Sequence, residues 1–484
     1  MTETPTGTTL ETPVASIDAT YHSFPIQEFN ENPLISALNI PAQNDKEAYI
    51  ALGQKPYFHE SELDMSDIYR SMMTTRLTRF FSPSEIHVRT LYGITTQVFT
   101  GYLGRNPISA SGQSVLYGSS VASQMARPSI SFVVGQSGMG KSTLLTRILN
   151  ALAPQLIRHK QFGNIPFPEM QVVHLRRNLP EKCTVKNFCA KFGSYADTLL
   201  GTEIYQTRFE RLKRPNQTDY LNEIRRIIAN HHIGALVIDE FQNLTLKGSS
   251  PGEVISLLIN LRDELGLPII IIGTYKALKL LNPDLSIARR LADGGFFEIE
   301  RPLSYEDENW ISLCKRAWNY QWVRKPIEID ESIFEKLYDY SQGITGIMLT
   351  LLVQAQQAAM YDKTETVDAN SIEKTFETRL KQLTPALNAL KSADPMLMDT
   401  FEDLYQNIFP TVALEPIELP LNFTDKQNQD KKVDETSSID ASKSKSNKTA
   451  TKPVQDNLNN IDDLMNLLKS SNIDGLGDVL NLKP

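Results

Sequence analysis

Residues 135–142 read Gly-Gln-Ser-Gly-Met-Gly-Lys-Ser, and this octapeptide limits the possible folds more than any other feature of the chain. It matches the pattern G-x-x-x-x-G-K-[ST] and lies between an apolar run at 129–134 and a helical pattern at 142–151. Glycines let the backbone curl so that successive N–H groups point at one phosphate, and the helix N-terminus adds partial positive charge. The octapeptide therefore predicts a phosphate-binding loop, a P-loop, between a strand and a helix.

An acidic pair, Asp239-Glu240, directly follows the apolar run 235–238. In a P-loop protein the aspartate at such a position holds Mg²⁺, and the glutamate is placed to orient or deprotonate the attacking water. Lys141 is expected to reach the β- and γ-phosphates, and the Ser142 hydroxyl is expected to ligate Mg²⁺ together with Asp239. The predicted cofactors are therefore ATP and Mg²⁺, with Glu240, Asp239 and Lys141 as catalytic residues. The predicted nucleotide contacts are Gly135, Gln136, Ser137, Gly138, Met139, Gly140, Lys141, Ser142 and Thr143.

Short apolar runs alternate with helical patterns between the P-loop and residue 299. Such alternation indicates a parallel sheet that is covered by helices on both faces. From residue 303 to about 395 the pattern is helical, which indicates a small all-helical domain after the sheet. The predicted class is therefore α/β, a P-loop NTPase with a helical lid. The predicted strands are 129–134, 170–175, 235–238, 268–272 and 296–299, and predicted helices lie at 142–151, 184–200 and 216–231.

The N-terminal part before the P-loop has three predicted sections. Residues 1–60 form an extension whose Thr/Pro-rich start is expected to be disordered, and its segment near 29–41 is either a partner-docking peptide or a first helix. Helical patterns at 61–103 open the nucleotide-binding domain, which is predicted to run over 61–302. The Ser/Gly-rich residues 108–128 are predicted to be a loop.

The C-terminal part has three further predicted sections: the lid at 303–395, a largely disordered linker at 396–460, and a terminal peptide at 461–484. Apolar residues recur in the terminal peptide at i, i+3, i+4 and i+7, which places them on one face of a short helix. A disordered linker followed by an amphipathic peptide is typical of a tethered partner-binding segment, or else of a tail that docks on its own domain.

The composition is that of an ordinary soluble protein, with 41% hydrophobic and 22% charged residues and a formal net charge of −8. The 3 cysteines have no metal-ligand spacing, which suits free thiols in a reducing cytosol. The N-terminus lacks the basic and apolar regions of a secretory signal, and no apolar run approaches the ~18 residues of a membrane span. We therefore predict a cytoplasmic protein without a membrane partner.

Three further residues are candidates for the catalytic site. Thr274 follows the predicted fourth strand, where a polar side chain can sense the γ-phosphate or hold the water, although a strand-end cap is the alternative. Arg289 and Arg290 come just before the last strand. Either can serve as an arginine finger in trans if subunits assemble, and Arg290 is favoured. The alternative is that both are ordinary surface arginines.

Beyond the P-loop and the acidic pair, the chain resembles the TnsC family, regulator ATPases of heteromeric cut-and-paste bacterial transposons that are related to TniB and MuB. The helical lid after the last strand is typical of the AAA+ class, and the resemblance extends over about residues 29–390. The segment at 101–107 is the more specific of the matching segments. They are Asn32-Pro33-Leu34-Ile35-Ser36-Ala37-Leu38, Gly101-Tyr102-Leu103-Gly104-Arg105-Asn106-Pro107, 236–244, 272–277, 286–290 and Ser341-Gln342-Gly343.

The resemblance implies an ATP-dependent regulator of DNA transposition. Its ATP-bound subunits would assemble head-to-tail on double-stranded DNA as a ring or helical filament, and hydrolysis would disassemble them. It further implies two kinds of protein partner, a target-selection protein and transposase subunits. One departure is that the stretch Ile344-Thr345-Gly346-Ile347-Met348 holds no arginine, so it supplies no lid-borne nucleotide sensor of the kind that many AAA+ lids carry.

Basic clusters after the predicted second strand are candidates for DNA contact. In this fold these elements point toward the centre of a ring, where cations can track the phosphate backbone without reading sequence. The alternative is that they are solvated helix faces. The residues favoured for DNA contact are Lys182, Lys186, Lys213 and Arg214.

Two alternative functions stay open. One is an ATP-gated adaptor that coats DNA with little need for hydrolysis. The other is a helicase-loader or initiator ATPase, which shares the P-loop and the lid but is expected to lack the 101–107 segment and to carry an appended DNA-reading domain.

Overall fold

The computed structural model describes residues 15–118, 128–245, 247–280, 289–291 and 293–392. All of them belong to one compact unit, Met1–Val412. The predicted linker at 396–460 and the predicted terminal peptide lie outside the described residues, as do the first 14 residues. Across these described ranges, no helix combines the length and the apolar character that crossing a bilayer requires.

The main sheet has five strands, and every neighbouring pair in it is parallel. Its order is β10-β2-β9-β8-β7, and every residue of β2, β8 and β9 is buried. This confirms the predicted parallel sheet, because strands with both faces covered carry near-continuous apolar runs. The strands are β1 (Ile17–Asp18), β2 (Ile130–Gly135), β3 (Leu156–Arg158), β4 (Gln161–Phe162), β5 (Ile165–Pro166), β6 (Met170–Val172), β7 (His174–Asn178), β8 (Ala235–Asp239), β9 (Ile269–Gly273) and β10 (Phe296–Ile299).

The predicted strand at 170–175 is wrong as a single element. Its first half, β6, pairs antiparallel with β3 in a separate three-stranded sheet, whereas β7 forms the edge of the main sheet. The chain changes partners at Val173, whose N–H donates to Gln155 O at 2.9 Å. The residues 172–175 are buried without a break, so hydrophobicity alone shows one run where the chain forms two strands.

Helices cover both faces of the sheet, and helices are the only regular secondary structure in the described residues after Pro302, up to residue 392, as predicted for the lid. Short 3-10 segments connect several of them, at Glu60–Asp64, Thr75–Arg79, Phe241–Thr245 and Tyr275–Leu280. The α-helices of the described ranges are α1 (Gln27–Asn30), α2 (Pro33–Ser36), α3 (Asp45–Leu52), α4 (Asp67–Thr74), α5 (Glu85–Leu103), α6 (Ala110–Leu116), α7 (Lys141–Leu152), α8 (Val185–Leu200), α9 (Tyr205–Arg211), α10 (Gln217–His231), α11 (Pro251–Leu265), α12 (Glu308–Trp318), α13 (Glu331–Asp339), α14 (Thr345–Tyr361), α15 (Ala369–Thr375) and α16 (Thr384–Ser392).

Two predictions before the P-loop need correction. The helical pattern at 61–103 is interrupted between α4 and α5, where Pro83 lies. The predicted loop at 108–128 contains the helix α6, because the Ser109 hydroxyl accepts from Gly112 N at 3.1 Å and Val115 is buried. A Ser/Gly-rich composition is typical of loops, so it does not indicate a helix of only seven residues. Residues 119–127 of that stretch lie outside the described part.

The segment Gly101–Pro107 has a structural role. The guanidinium of Arg105 is 1% exposed and donates to the carbonyls of Gly101, Ile233 and Gly234 at 2.9, 2.6 and 3.0 Å. Asn32 adds a bond from its Nδ2 to Tyr102 O at 2.9 Å. These bonds tie the N-terminal segment and α5 to the turn that leads into β8.

The 29–41 segment contains a first helix, α2, which is one of its two predicted alternatives. Leu34, Ile35 and Leu38 are all buried in the core, whereas Ile40 is exposed. Its apolar side chains therefore stabilise this domain and are covered by it.

Helix α4, in the N-terminal part of the predicted nucleotide-binding domain, packs against the lid. Arg70 is fully buried, and its guanidinium pairs with Glu365 at 2.5 Å and with Asp67 at 2.6 Å. It also donates to Trp322 O at 2.8 Å. Truncating Arg70 would leave buried acceptors without a donor, so this cluster fixes α4 to the lid.

Candidate nucleotide-binding site

The carboxyl ends of β2, β9 and β8 meet at one edge of the main sheet, because the three strands are parallel neighbours in that order. The P-loop follows β2, Thr274 follows β9, and Asp239 ends β8. The Ser142 hydroxyl donates to Asp239 Oδ2 at 2.8 Å. The structure thus brings together predicted site residues that are far apart in sequence.

The P-loop has the backbone that its glycines predict. Gly138 and Gly140 have φ of 83° and 82°, in the left-handed region that favours glycine. A Cβ added to Gly135 would lie 2.5 Å from Ile299 O, so β10 packs directly on the start of the loop. Lys141 is 9% exposed, and its ammonium donates to Gly135 O at 2.8 Å and Gln136 O at 2.7 Å. The ammonium therefore lies inside the curl of the loop.

The predicted metal ligands form an oxygen donor set. A hydroxyl from Ser142 and a carboxylate from Asp239 fit Mg²⁺, which is usually bound by one or two carboxylates together with substrate phosphates and water. Arg176 of β7 also contacts this carboxylate, with its Nη2 2.8 Å from Asp239 Oδ2, and its Nη1 donates to Thr146 Oγ1 at 2.6 Å. No sequence pattern indicates this contact, because it depends on the pairing of β7 with β8.

Glu240 and Thr274 line the same cleft. Glu240 has φ of 58°, a left-handed conformation that costs a non-glycine residue free energy. Its Oε2 accepts from Gln242 Nε2 at 2.5 Å, and Gln242 Oε1 accepts from Thr274 N at 3.2 Å. The buried Thr274 hydroxyl has no hydrogen-bond partner among the residues that the structure describes. Such a hydroxyl is suited to a water or a phosphate oxygen.

The cleft between the sheet edge and the lid has a volume of about 510 Å³. Burial lowers the pKa of His87 to about 4, so this wall residue is uncharged at neutral pH. A polar floor beside an apolar wall fits a triphosphate joined to a nucleobase. The apolar and aromatic lining includes Phe81, Pro83, Ile86, Trp310, Leu313 and Leu349.

The lid contacts the P-loop through its backbone. Gly346 N, at the start of α14, donates to Gly138 O at 2.9 Å. A Cβ added to Gly138 would lie 2.8 Å from Ile344 Cγ2, so the packing here is close. The lid also brings an arginine that sequence inspection missed, Arg316 of α12, which lines the cleft and donates to Ser82 Oγ at 3.0 Å. Arg316 lies before Gly343, outside the stretch in which many AAA+ lids carry such an arginine.

The predicted finger residues lie away from this cleft. Arg289 and Arg290 are both exposed. The guanidinium of Arg290 is 3.6 Å from Asp263 Oδ2, and its backbone carbonyl accepts a hydrogen bond from Arg262. Residues 281–288, directly before them, lie outside the described ranges. A finger role for either arginine stays a prediction.

The four residues predicted to contact DNA are also exposed and do not line the cleft. Lys182 lies in the turn before α8 and Lys186 in the first turn of that helix. Lys213 and Arg214 lie between α9 and α10. Lys182 and Arg214 have φ of 52° and 50°, in the left-handed region that non-glycine residues adopt in turns. Two of the four therefore project from tight turns.

The cysteines are free and buried, in agreement with the predicted thiols. Burial raises the pKa of Cys183 to about 11, so it stays protonated at neutral pH. Within the described part of the chain, no group of three or more His, Cys, Asp or Glu side chains could hold a metal ion.

Residues 124–281 match a protein family described as an AAA domain. No curated protein is similar in sequence. Similar solved structures include the ORC2 protein of Aeropyrum pernix, 12% identical with a TM-score of 0.34, over 51% of this chain and 61% of that one. The Walker-type ATPase of Pyrococcus abyssi is 16% identical with a TM-score of 0.34, over 56% and 73%. Cdc6p from Pyrobaculum aerophilum is 12% identical with a TM-score of 0.38, over 73% and 87%. The chain therefore spans about three fifths of the Aeropyrum protein.

The parallel sheet, the P-loop between β2 and α7, and the helical lid define a P-loop ATPase of the AAA+ class. Within that class, the part of the chain similar to the AAA domain family is 124–281, which contains the P-loop, Asp239, Glu240 and Thr274.

Proposed function

We propose that this ATPase regulates DNA transposition. In its ATP-bound form it assembles head-to-tail on double-stranded DNA and bridges a target-selection protein to the transposase. The observation that supports DNA binding is the exposed basic set Lys182, Lys186, Lys213 and Arg214, which is separate from the nucleotide cleft. Exposed cations bind the phosphate backbone by releasing counterions, independently of sequence.

The exposure of Arg289 and Arg290 supports assembly. Neither lines the cleft of its own subunit, so a finger role for either arginine would require the ATP of a neighbouring subunit. A subunit that offers a cleft on one face and a finger on another forms a heterologous interface, which generates rings or filaments. The finger also makes hydrolysis depend on assembly.

Two regions are proposed to contact protein partners. The target-selection protein would contact the N-terminal segment around Ile40, whose side chain is exposed. Leu34, Ile35 and Leu38 are buried and so are not available to a partner. The predicted terminal peptide at 461–484 would bind transposase subunits with its apolar face. Its apolar residues are Ile461, Leu464, Met465 and Leu468.

Electron microscopy of the full chain with duplex DNA and a non-hydrolysable ATP analogue tests the assembly. We expect rings or filaments around the DNA in the presence of the analogue and none with ADP. Particles that stay monomeric on DNA would contradict the proposal and leave a loader or initiator ATPase as the alternative.

The Glu240→Gln variant separates a hydrolysing regulator from an ATP-gated adaptor. It should bind ATP and DNA normally but fail to leave the DNA, because the residue that activates water is lost. If the variant and the wild type disassemble at the same rate and choose the same insertion sites, hydrolysis has no regulatory role.

A further inference from the structure

Gln242 joins two parts of the ATPase site through one side-chain amide. It lies in the 3-10 segment Phe241–Thr245, directly after the acidic pair. Its Nε2 donates to Glu240 Oε2 at 2.5 Å, and its Oε1 accepts from Thr274 N at 3.2 Å. The carboxylate after β8 is thereby linked to the backbone after β9.

The surroundings of Gln242 hold this amide in place. The preceding Phe241 is fully buried and packs edge-on against Phe132 of β2, with ring centroids 5.8 Å apart. Gly273 leaves room on the other side, since an added Cβ would lie 3.2 Å from Gln242 Oε1. The chain is therefore fixed at the residue before Gln242, and the bare backbone of Gly273 lets the Gln242 amide approach Thr274 N.

Burial does not fix the orientation of the Glu240 carboxylate, so a hydrogen-bond partner is required to restrict it. Its side chain is exposed, and a free carboxylate on an exposed chain samples several rotamers. An amide is suited to this place because it has a donor at one end for the carboxylate and an acceptor at the other for the N–H of Thr274.

We propose that Gln242 is a positioning residue for ATP hydrolysis. It holds the Glu240 carboxylate in the same cleft as the Thr274 hydroxyl. In the reaction the water oxygen bonds to the γ-phosphorus while the bond to the β–γ bridging oxygen breaks. That oxygen leaves on ADP with the electron pair, and the water proton passes to Glu240. Gln242 acts only through the orientation of that carboxylate. The inference concerns the ATPase itself and does not depend on DNA binding.

Steady-state kinetics of Gln242→Ala test this role. We expect kcat to fall about 10- to 100-fold, because a misplaced catalytic group can cost about that much. The KM for ATP and the affinity for a fluorescent ATP analogue should stay within about twofold, because the amide bonds Glu240 and Thr274 and, among the described residues, shows no hydrogen bond to the P-loop. A matched control is Gln27→Ala, which removes an exposed amide–carboxylate bond of 2.8 Å to Glu31 and should leave kcat unchanged.

A double-mutant cycle distinguishes positioning from general damage. In the Glu240→Gln background, adding Gln242→Ala should lower kcat by less than about twofold, because the group being positioned is already gone. Losses that multiply would overturn the proposal, as would a Gln242→Ala variant with the kcat of the wild type.

A second variant covers the case in which Gln242→Ala fails to fold. Gln242→Glu keeps the side-chain size but replaces the donor with a second carboxylate, so it should show the same loss of kcat at unchanged affinity for the analogue. A Gln242→Glu variant with wild-type kcat would show that no donor is needed beside Glu240 and would refute the inference.

Discussion

Replacing the buried Arg105 with leucine should destabilise the protein severely. This guanidinium donates to three backbone carbonyls, those of Gly101, Ile233 and Gly234. Burial lowers its pKa to about 10, so it remains charged at neutral pH. Each buried acceptor left without a donor costs about 1–3 kcal/mol. Removal of a desolvated charge offsets part of this, so we expect the free energy of unfolding to fall by about 3–5 kcal/mol.

Urea unfolding followed by circular dichroism measures this loss, and Arg89→Leu is the control. Arg89 lies on α5, the helix that ends just before Arg105, but its side chain is 69% exposed and its contact is an ion pair with Glu85 one turn away. Such a pair contributes about 0.3–0.5 kcal/mol. If Arg105→Leu lowers the free energy of unfolding by no more than Arg89→Leu does, the structural role assigned to the Gly101–Pro107 segment is wrong.

Three further predictions concern function. Lys141→Ala should abolish ATP binding, because the ammonium inside the P-loop is lost, and isothermal titration would show it; unchanged affinity would contradict the site. Lys182→Ala should weaken DNA binding and reduce the slope of log K against log salt by about 0.9, and an unchanged slope would exclude phosphate contact. Arg290→Ala should reduce the ATPase rate of assembled subunits by about 10³-fold without changing ATP affinity. A normal rate would point instead to Arg289, whose replacement by alanine is the matched comparison.

Features carried by contiguous residues were predictable. The P-loop pattern and its flanking elements lie within one stretch of sequence, and the acidic pair directly follows an apolar strand. Because the carboxyl ends of parallel strands lie at one edge of a sheet, the sequence predicts that the P-loop and the acidic pair lie close together. The helical lid was predicted because its apolar residues recur with helical spacing.

Features that depend on neighbours distant in sequence could not be predicted. The contact of Arg176 with Asp239 requires that β7 lie beside β8, and hydrophobicity merges β7 with β6. The bonds of Gln242 depend on the adjacency of β8 and β9 and on a side-chain rotamer. Arg316 approaches the cleft through the packing of the lid, which no local pattern encodes. The same holds for Arg70, whose partner Glu365 lies far along the chain.

The bond between Gly346 N and Gly138 O joins two neutral groups. An ion pair between a lid arginine and a phosphate would weaken as the salt concentration rises, because dissolved ions screen the two charges. A hydrogen bond between a neutral amide and a neutral carbonyl depends little on the salt concentration. The hydrogen bond between the lid and the P-loop should therefore persist at salt concentrations that would weaken the proposed binding to DNA.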